Sequence, residues 1–517
     1  MNWNSPLLQP APHIPPVPKE QAQRLYPKMR WQILESTFIG YATFYFVRNN
    51  LPIVSREMGI SLHYSMEQVG NILAATAISY GVGKLFMGAW SDRSNPRYFM
   101  PLGLLLTAIC NFAFGAVSSY HVQLALWALN GLVQSMGWAP CGRSLGHWYS
   151  VNERGTMFAF WNVAQNVGGG LTGLLVAYST VLLGWRSAFY VPGVLAILCA
   201  IYLLIRLRDT PQSVGLPPIE EWRNDYPAGT RKDAEQELGT RDLLTNYIFK
   251  NGYLWLFAFA NFFVYIARYA MLDWGPTYLK EVKHASIGQG GVSTAALEFS
   301  AIFSTILMGW LSDKMGGRRG MISVLCMIPV LLSYLGIIYG PPGKLWISLG
   351  LFGVIGFFVY PTVLLLVVSA LDFTSKKAVG TAAGFLGLFG YLGRTVEGEG
   401  IGVLVQHYGW AVALHAVVIA VVLGIALLLF TWKLSPHSAG RSGSRYGCAP
   451  GGTSRVSELC TTSRRTGKEP STSPSASTNN DSRAPLWARH SMLGVFSSST
   501  LPLKVCRPAS AASKNFR

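Results

Sequence analysis

Apolar segments long enough to cross a lipid bilayer recur along this chain, and they constrain its fold more than any other feature. An α-helix needs about 20 apolar residues to cross a hydrocarbon core of ~30 Å. Hydrophobic residues make up 50% of the chain and charged residues 13%, whereas soluble proteins carry roughly 25% charged residues. The segments are longer than the alternating strands of a membrane β-barrel. We therefore predict an all-α membrane protein.

Twelve spans separated mostly by short connections can be drawn on the sequence. They cover residues 31–54, 66–90, 98–117, 121–146, 154–181, 186–206, 251–279, 291–312, 320–340, 345–370, 378–405 and 410–433. The longest internal connection, 207–250, separates six spans from six, so we predict two six-helix halves.

Lysine and arginine are concentrated in alternate connections. These are the N-terminal arm, the loops 91–97, 150–154 and 313–319, the pair Lys376–Lys377 and the long segment 207–250. Cytoplasmic loops carry this excess in membrane proteins, so both termini are predicted to be cytoplasmic. The same rule accounts for the net charge of +18, and no nucleic-acid partner is expected.

Composition divides the chain into five parts. We predict a cytoplasmic arm (1–30), a first half (31–206), a cytoplasmic linker (207–250), a second half (251–433) and a disordered tail (434–517). The tail is rich in Ser, Arg, Gly and Pro, a composition typical of disorder. Its abrupt start is compatible with a natural extension or with an altered reading frame. The seven cysteines show no metal-ligand spacing, so no metal site is expected.

The two halves repeat one another. "MGAWSDRSNPR" begins at Met87 and "MGWLSDKMGGRR" at Met308, while "GTMFAFWNVAQNVGGG" and "GTAAGFLGLFGYLGR" occupy equivalent positions further along. Gly184-Trp185 and Gly409-Trp410 repeat at nearly the same offset. Two parallel repeats with a site between them near the membrane midplane are typical of the major facilitator architecture.

The charged loops in these repeats have two interpretations. Pairs at the cytoplasmic helix ends could latch the halves in one conformation and break in the other, and solvated charge is the alternative. The candidate gating residues are Asp92, Arg93, Arg97, Asp313 and Lys314.

Two arginines interrupt apolar spans at equivalent positions. "YFVRNN" in the first half contains Tyr45 and Arg48, and "YIARYA" in the second contains Tyr265 and Arg268. A charged side chain within the bilayer is costly and usually functional. Two guanidinium groups that converge on one cavity repel unless an anion joins them, and phosphate accepts their bidentate hydrogen bonds. The alternative is that each arginine reaches an interface or pairs with a structural acid; Asp273 and Glu298 are available to Arg268.

Lys84 is a third cation in an apolar segment, one helical turn after Tyr80. It could steer an anion, or it could pair with an acid as part of the structure.

Several stretches resemble a known family. "YATFYFVRNN", "SDRSNPR", "GWAPCGR", "WNVAQNVGGG", "RDTPQSVGLPPIEEWRNDYP", "ARYAMLDWGPTYLKEVKH" and "KKAVGTAAGFLGLFGYLG" are similar to the bacterial glycerol-3-phosphate transporters, members of the organophosphate:phosphate antiporter family of the major facilitator superfamily. The resemblance runs from about Trp31 to about Trp432. It implies that Arg48 and Arg268 grip the phosphate and that further residues line the cavity. These substrate-site candidates are Lys84, Tyr45, Tyr265, Gln165, Asn162, Trp161, Tyr360, Tyr391 and Glu298.

Two departures from the family pattern bear on the substrate. Gln165 stands where the family has histidine, so this side chain can still donate a hydrogen bond but cannot titrate near neutral pH. Arg394, Glu397 and Glu399 replace small or apolar residues. Arg394 and Glu397 are three residues apart and could pair on one helix face. They could instead reach the cavity and select the substrate, or belong to an inactive copy.

The resemblance implies a transporter rather than an enzyme, with no cofactor. It would exchange an organic phosphate ester, first of all glycerol 3-phosphate, for inorganic phosphate by rocker-switch alternating access. The alternatives are a membrane receptor that senses a sugar phosphate, or an antiporter for hexose phosphate or phosphoglycerate. We expect a monomer in the bacterial inner membrane.

Overall fold

The computed structural model describes residues 9–225, 248–341, 344–374 and 379–434. These residues form helices and connections without β-strands, as the all-α prediction requires. The helices are α1 (Lys19–Phe46), α2 (Leu51–Leu62), α3 (Met66–Ser91), α4 (Pro96–Ala116), α5 (Tyr120–Gln134), α6 (Trp138–Trp148), α7 (Val151–Leu183), α8 (Ser187–Arg206), α9 (Ile219–Arg223), α10 (Gly252–Tyr269), α11 (Gly275–Val282), α12 (Ile287–Lys314), α13 (Arg319–Tyr339), α14 (Leu345–Asp372) and α15 (Val379–Leu429). A 3-10 turn, Pro211–Val214, precedes α9, and a π-helical turn, Ala270–Trp274, joins α10 to α11.

Eight helical stretches in the described part of the chain are long and apolar enough to cross a membrane. The last of them, Thr381–Leu429, contains a break at Gly409, whose φ of 81° is not helical. The predicted count of twelve spans stays a prediction, as do the proposed domain boundaries.

The internal repeat is visible in backbone geometry. Gly184 and Gly409 both adopt a φ of 81°, and His63 and His284 both adopt left-handed values of 57° and 54°. Left-handed backbone is uncommon for a non-glycine residue. Matching outliers at matching positions therefore support the duplication inferred from the sequence.

Helices α3 and α12 begin in the same way. In each, a serine accepts a hydrogen bond from the backbone of a glutamine three residues later, whose side chain accepts one in return. These capping boxes, Ser65 with Gln68 and Ser286 with Gln289, satisfy backbone donors at the helix start. They fix the equivalent helix of each half at equivalent positions.

The first predicted span, 31–54, contains parts of two helices rather than one, because regular helix is interrupted between α1 and α2. Asn50 caps α2, and Pro52 follows it at the helix start. The carbonyl oxygen of Val47 accepts hydrogen bonds from Asn111 (3.0 Å) and Asn130 (3.1 Å). Side chains from other helices thus provide hydrogen-bond donors for a backbone carbonyl where the helix is interrupted. Arg48 lies at this interruption.

The second half has a related irregularity next to Arg268. Helix α10 passes into the π-helical turn directly after Tyr269. The carbonyl oxygen of Ala267 accepts a hydrogen bond from the Tyr334 hydroxyl at 2.5 Å. π-Helical turns occur often at functional sites, so both arginines lie where the helix geometry departs from regular.

The two halves pack through α7 against α12 and through α3 against α15. We call the end with the connections 63–65 and 283–286 the distal end, and the end with 92–95 and 315–318 the proximal end. The hydrogen bonds that join the halves in the described residues lie at the distal end and near the middle. At the distal end, Ser55 and Thr277 share one at 2.6 Å, and Lys280 donates to the Ile53 carbonyl at 2.6 Å.

Helix α1 begins at Lys19, within the segment 1–30 predicted to be the N-terminal arm. Its first turns are held by the start of the linker. Tyr26 is buried, donates a hydrogen bond to the Pro217 carbonyl at 2.9 Å and stacks on Trp222 at 4.6 Å. The tail beyond residue 434, Lys376–Lys377 and most of the predicted linker lie outside the described residues.

Candidate anion-binding site

Arg48 is a buried cation without a carboxylate partner in the described part of the chain. Its side chain is 5% exposed, and its Nε has no hydrogen-bond acceptor there. The guanidinium carbon lies 4.4 Å from the ring centre of Tyr80 and 5.2 Å from that of Tyr45. Aromatic faces attract a cation, but they do not neutralise it.

Arg268 has the same kind of surroundings. It is 6% exposed, its Nε has no acceptor among the described residues, and its guanidinium carbon lies 4.0 Å from the ring of Tyr360 and 5.0 Å from that of Tyr269. Of the acid partners considered from the sequence, Asp273 pairs with Arg394. Glu298 accepts a hydrogen bond from Asn166 and lies within electrostatic range of Arg268, but the two form no ion pair in the described residues.

A row of aromatic rings connects the two arginines across the boundary between the halves. Tyr80, beside Arg48, lies 4.9 Å from Tyr391. Tyr391 lies 5.9 Å from Tyr265, which lies 5.6 Å from Tyr269 beside Arg268. The structure therefore brings the tyrosines and both arginines predicted from the sequence into one cluster.

Lys84 belongs to the same cluster. Its Nζ lies 5.0 Å from the ring of Tyr391, 5.3 Å from Tyr80 and 5.9 Å from Trp138. The side chain is exposed, so it can reach a ligand that enters between the halves.

Helix α7 contributes polar groups to this cluster. Tyr45 donates a hydrogen bond to Gln165 Oε1 at 3.3 Å. Asn166 donates to Glu298 Oε2 at 2.9 Å, which links α7 to α12 across the halves. Glu298 lies within electrostatic range of both Arg268 and Arg48. Sequence reasoning missed Asn166, although it lies one turn after Asn162 in the same motif.

Trp161, a substrate-site candidate from the family resemblance, lies on α7 among other aromatic rings, and its contact with a ligand stays a prediction. It is fully buried and stacks on Tyr41 with ring centres 4.7 Å apart. Its indole nitrogen has no acceptor among the described residues. Trp161 thus supports Tyr41 and, through it, Tyr45. Asn162 is half-buried on the same helix.

The expected pair of Arg394 with Glu397 is wrong. Arg394 instead makes a bidentate pair with Asp273, from Nε to Oδ2 at 2.9 Å and from Nη2 to Oδ1 at 3.0 Å. Packing of α15 against the π-helical turn brings these groups together, which spacing along α15 alone cannot reveal. Arg394 also lies 4.1 Å from the ring of Tyr269, and so next to the anion site.

The candidate gating residues lie at the proximal end, and their latch stays a prediction. Within the described residues none of the five forms an ion pair with the other half. The backbone carbonyl of Asp92 accepts a hydrogen bond from Arg143 at 2.8 Å, and Arg97 donates to the Leu204 carbonyl at 2.8 Å. Asp313 lies 3.9 Å from Arg319 of its own half, and Lys314 lies over Trp310; Arg93 is exposed.

The cluster has an excess of positive charge that suits an anion. Leaving a buried charge unpaired costs several kcal/mol, far more than the aromatic contacts return. An anion that accepts hydrogen bonds from both guanidinium groups removes this cost. In the described part of the chain no group of three His, Cys, Asp or Glu side chains could hold a metal ion.

Comparisons with known proteins identify the family to which the chain belongs. Residues 37–398 match the model of the Major Facilitator Superfamily. The chain is 40% identical over 437 residues to the glycerol-3-phosphate transporter of Bacillus subtilis, with 83% of this chain and 98% of that protein covered. It is 36% identical over 451 residues to a probable hexose phosphate transport protein of Chlamydia trachomatis (85% and 99% covered). It is 35% identical over 412 residues to the membrane sensor protein UhpC of Escherichia coli (80% and 93% covered).

A solved structure shares the fold at low sequence identity. It is a bacterial homologue of the human lysosomal transporter Spinster in an inward-facing and occupied conformation. The TM-score is 0.64 at 15% identity, with 82% of this chain and 99% of that chain covered.

Proposed function

This chain belongs to the major facilitator superfamily, and from that premise we propose that it exchanges an organic phosphate ester for inorganic phosphate across a membrane. The observation that carries the proposal is the pair of buried arginines, Arg48 and Arg268, without carboxylate partners in the described residues. Guanidinium groups bind phosphate through two parallel hydrogen bonds, which makes arginine well suited to this anion.

The remaining groups of the cluster fit the same ligand. Lys84 adds a mobile positive charge, and Tyr45 and Tyr265 lie on the helical turn before each arginine. Gln165 can donate its amide hydrogens to a phosphate oxygen while it accepts from Tyr45. The relatives named for glycerol 3-phosphate and hexose phosphate indicate the ester class.

Exchange follows from the charge of the site. Without an anion, the buried cations Arg48 and Arg268 oppose closure of the halves, and bound phosphate neutralises them. A loaded carrier can therefore change orientation more easily than an empty one, and any phosphate species that fits can make the crossing. The proposed carrier works as a monomer in the bacterial inner membrane, with both termini and the proximal end in the cytoplasm.

The distal contacts would then close the outer side in this conformation. Lys280, which is buried, donates to Glu57 Oε2 at 2.6 Å and so joins α11 to α2 across the halves. We expect Lys280→Met to open the distal end. A hydrogen bond to a charged group contributes about 1.5–3 kcal/mol, so labelling of a Ser55→Cys reporter from that side should accelerate roughly tenfold or more. The reporter itself alters the Ser55–Thr277 contact, so the rates are compared with that of Ser55→Cys alone. The measurement is the rate of modification of that peptide, followed by mass spectrometry.

Lys283→Met provides the matched control for this prediction. Lys283 donates to the Gly340 carbonyl at 3.1 Å, within the second half, so its removal should leave the labelling rate unchanged. Equal acceleration in both variants would contradict a role for Lys280 in joining the halves.

The exchange activity is tested in proteoliposomes that contain phosphate inside and labelled phosphate outside. We expect uptake that depends on internal phosphate and is inhibited by external glycerol 3-phosphate. Parallel inhibition by glucose 6-phosphate and 3-phosphoglycerate ranks the ester substrates. Uptake without internal phosphate would contradict obligatory exchange.

A receptor for sugar phosphates is the second candidate, because one relative is named a membrane sensor protein. A receptor would bind phosphate esters in detergent with the same arginines but would not sustain exchange. Binding together with absent exchange in well-folded protein would therefore favour the receptor.

A further inference from the structure

Glu397 is a buried carboxyl group that the proposed exchange does not use. It is 2% exposed, and neither of its oxygens has a hydrogen-bond partner in the described part of the chain. An ionised carboxylate in such a place would lose its hydration without compensation. A neutral carboxylic acid avoids most of this cost.

Groups on three helical elements act on Glu397. Asp273 on the π-helical turn and Arg394 on α15 lie within its electrostatic range, and Glu397 in turn acts on Tyr334 of α13. The α15 backbone at Gly398 faces the apolar residues Leu73 and Ala74 of α3. Arg394, the one cation of the described residues that acts on Glu397, already holds Asp273 through two hydrogen bonds.

We infer that Glu397 binds one proton and that this proton strengthens anion binding at Arg48 and Arg268. The inference rests on the anion site proposed above and adds a second, coupled ligand to it. The step is a simple protonation: the carboxylate of Glu397 takes one proton from water and becomes a neutral carboxylic acid.

The coupling acts through a change of partner at Arg394. While Glu397 is neutral, Arg394 holds Asp273 in the bidentate geometry of the structure. When the proton leaves, the carboxylate competes for Arg394, which is three residues away on α15 and has an Nη1 without a partner in the described residues.

The competition between Glu397 and Asp273 for Arg394 affects the anion site through Tyr269. The ring of Tyr269 lies 4.1 Å from the guanidinium carbon of Arg394 and 5.0 Å from that of Arg268. Weakening the Arg394–Asp273 pair frees the negative charge of Asp273, which is five residues from Arg268 along the chain. The freed carboxylate competes with phosphate for positive charge, so loss of the proton should weaken anion binding.

Thermodynamic linkage between proton binding and phosphate binding gives the direction and the upper limit of the change in phosphate affinity with pH. If phosphate favours the protonated carrier, its dissociation constant rises with pH by at most about tenfold per pH unit. Phosphate itself titrates, so the informative quantity is the ratio of dissociation constants between wild type and Glu397→Gln at each pH. Glutamine mimics the neutral acid, and we expect this ratio to rise with pH toward tenfold or more.

Glu399→Gln is the matched control, because Glu399 is exposed two residues further along the same helix. It should follow the wild-type pH profile. If wild type and Glu397→Gln bind inorganic phosphate with parallel pH profiles, the coupling is refuted.

Infrared spectroscopy tests the proton separately from transport. Wild-type protein without phosphate should show the carbonyl band of a protonated carboxylic acid near neutral pH. The band should be absent from Glu397→Gln and retained in Glu399→Gln. A missing band in wild type overturns the proton site even if exchange is normal. If wild type shows the band but binds no phosphate, the proton site at Glu397 stands and the proposed phosphate exchange is refuted. Should Glu397→Gln fail to fold, proton uptake by wild type when phosphate is added decides the coupling. It is measured in weakly buffered solution at a pH high enough for the wild-type carbonyl band to be lost, and the proton uptake of phosphate alone is subtracted.

Discussion

Arg48→Lys and Arg268→Lys should each lose phosphate binding while keeping the positive charge of the site. Lysine is a point charge and cannot make the two parallel hydrogen bonds of a guanidinium group. Losing one hydrogen bond to a charged group costs about 1.5–3 kcal/mol, which corresponds to a roughly 10- to 150-fold increase in the dissociation constant. Titration calorimetry with inorganic phosphate in detergent measures the change, and exchange in proteoliposomes should fall at least as far.

Arg24→Lys is the control for this substitution, because Arg24 is exposed near the start of α1 and far along the chain from Arg48. It should bind and exchange phosphate like the wild type. If both site variants kept the wild-type affinity for phosphate, bidentate hydrogen bonding of phosphate by the two arginines would be refuted. Loss in one variant alone would show that the two halves do not share the anion equally.

Arg48→Met separates binding from folding. Removing an uncompensated buried charge usually stabilises a protein, and sites that bind ligands often sacrifice stability. We expect the empty variant to melt at or above the temperature of the empty wild type. Added phosphate should raise the melting temperature of the wild type only, because a ligand stabilises the state that binds it.

The sequence predicted those parts of the site that occupy equivalent positions in the two repeated halves. Arg48 and Arg268, with their tyrosines, follow from equivalent positions in the two halves, and the structure brings them into one cluster. The sequence could not show that Val47 and Ala267 precede breaks in regular helix geometry. These breaks depend on Asn111, Asn130 and Tyr334, which come from other helices.

The sequence also could not show which buried acidic and basic side chains pair with one another. Spacing permits Arg394 to pair with Glu397, and Asp273 to pair with Arg268. The structure pairs Arg394 with Asp273. That choice depends on how α15 packs against the π-helical turn, a tertiary contact without a periodic signature. As a result, neither Arg268 nor Glu397 forms an ion pair in the described part of the chain.

The glycine contact between α7 and α12 gives the second large expected effect. The backbones at Gly173 and Gly291 approach so closely that a Cβ at either position would meet the other's carbonyl oxygen, and one at Gly291 would also lie 2.6 Å from the Ala177 Cβ. Small residues permit such contacts between membrane helices. Gly291→Leu should therefore hold the distal end apart.

Overpacking costs about 1–3 kcal/mol, enough to shift the balance between conformations roughly 5- to 150-fold toward the state open at the distal end. Exchange should fall by a similar factor, while phosphate binding persists because Arg48 and Arg268 are untouched. The Ser55→Cys reporter should become accessible from the distal side. Gly309→Leu, on the same helix, is the control, since a Cβ there would meet no atom within 4 Å. Normal exchange in Gly291→Leu would show that closure of the distal end does not need this contact. The distal end would then have to close through its other contacts, those of α2 with α11 and of α3 with α15.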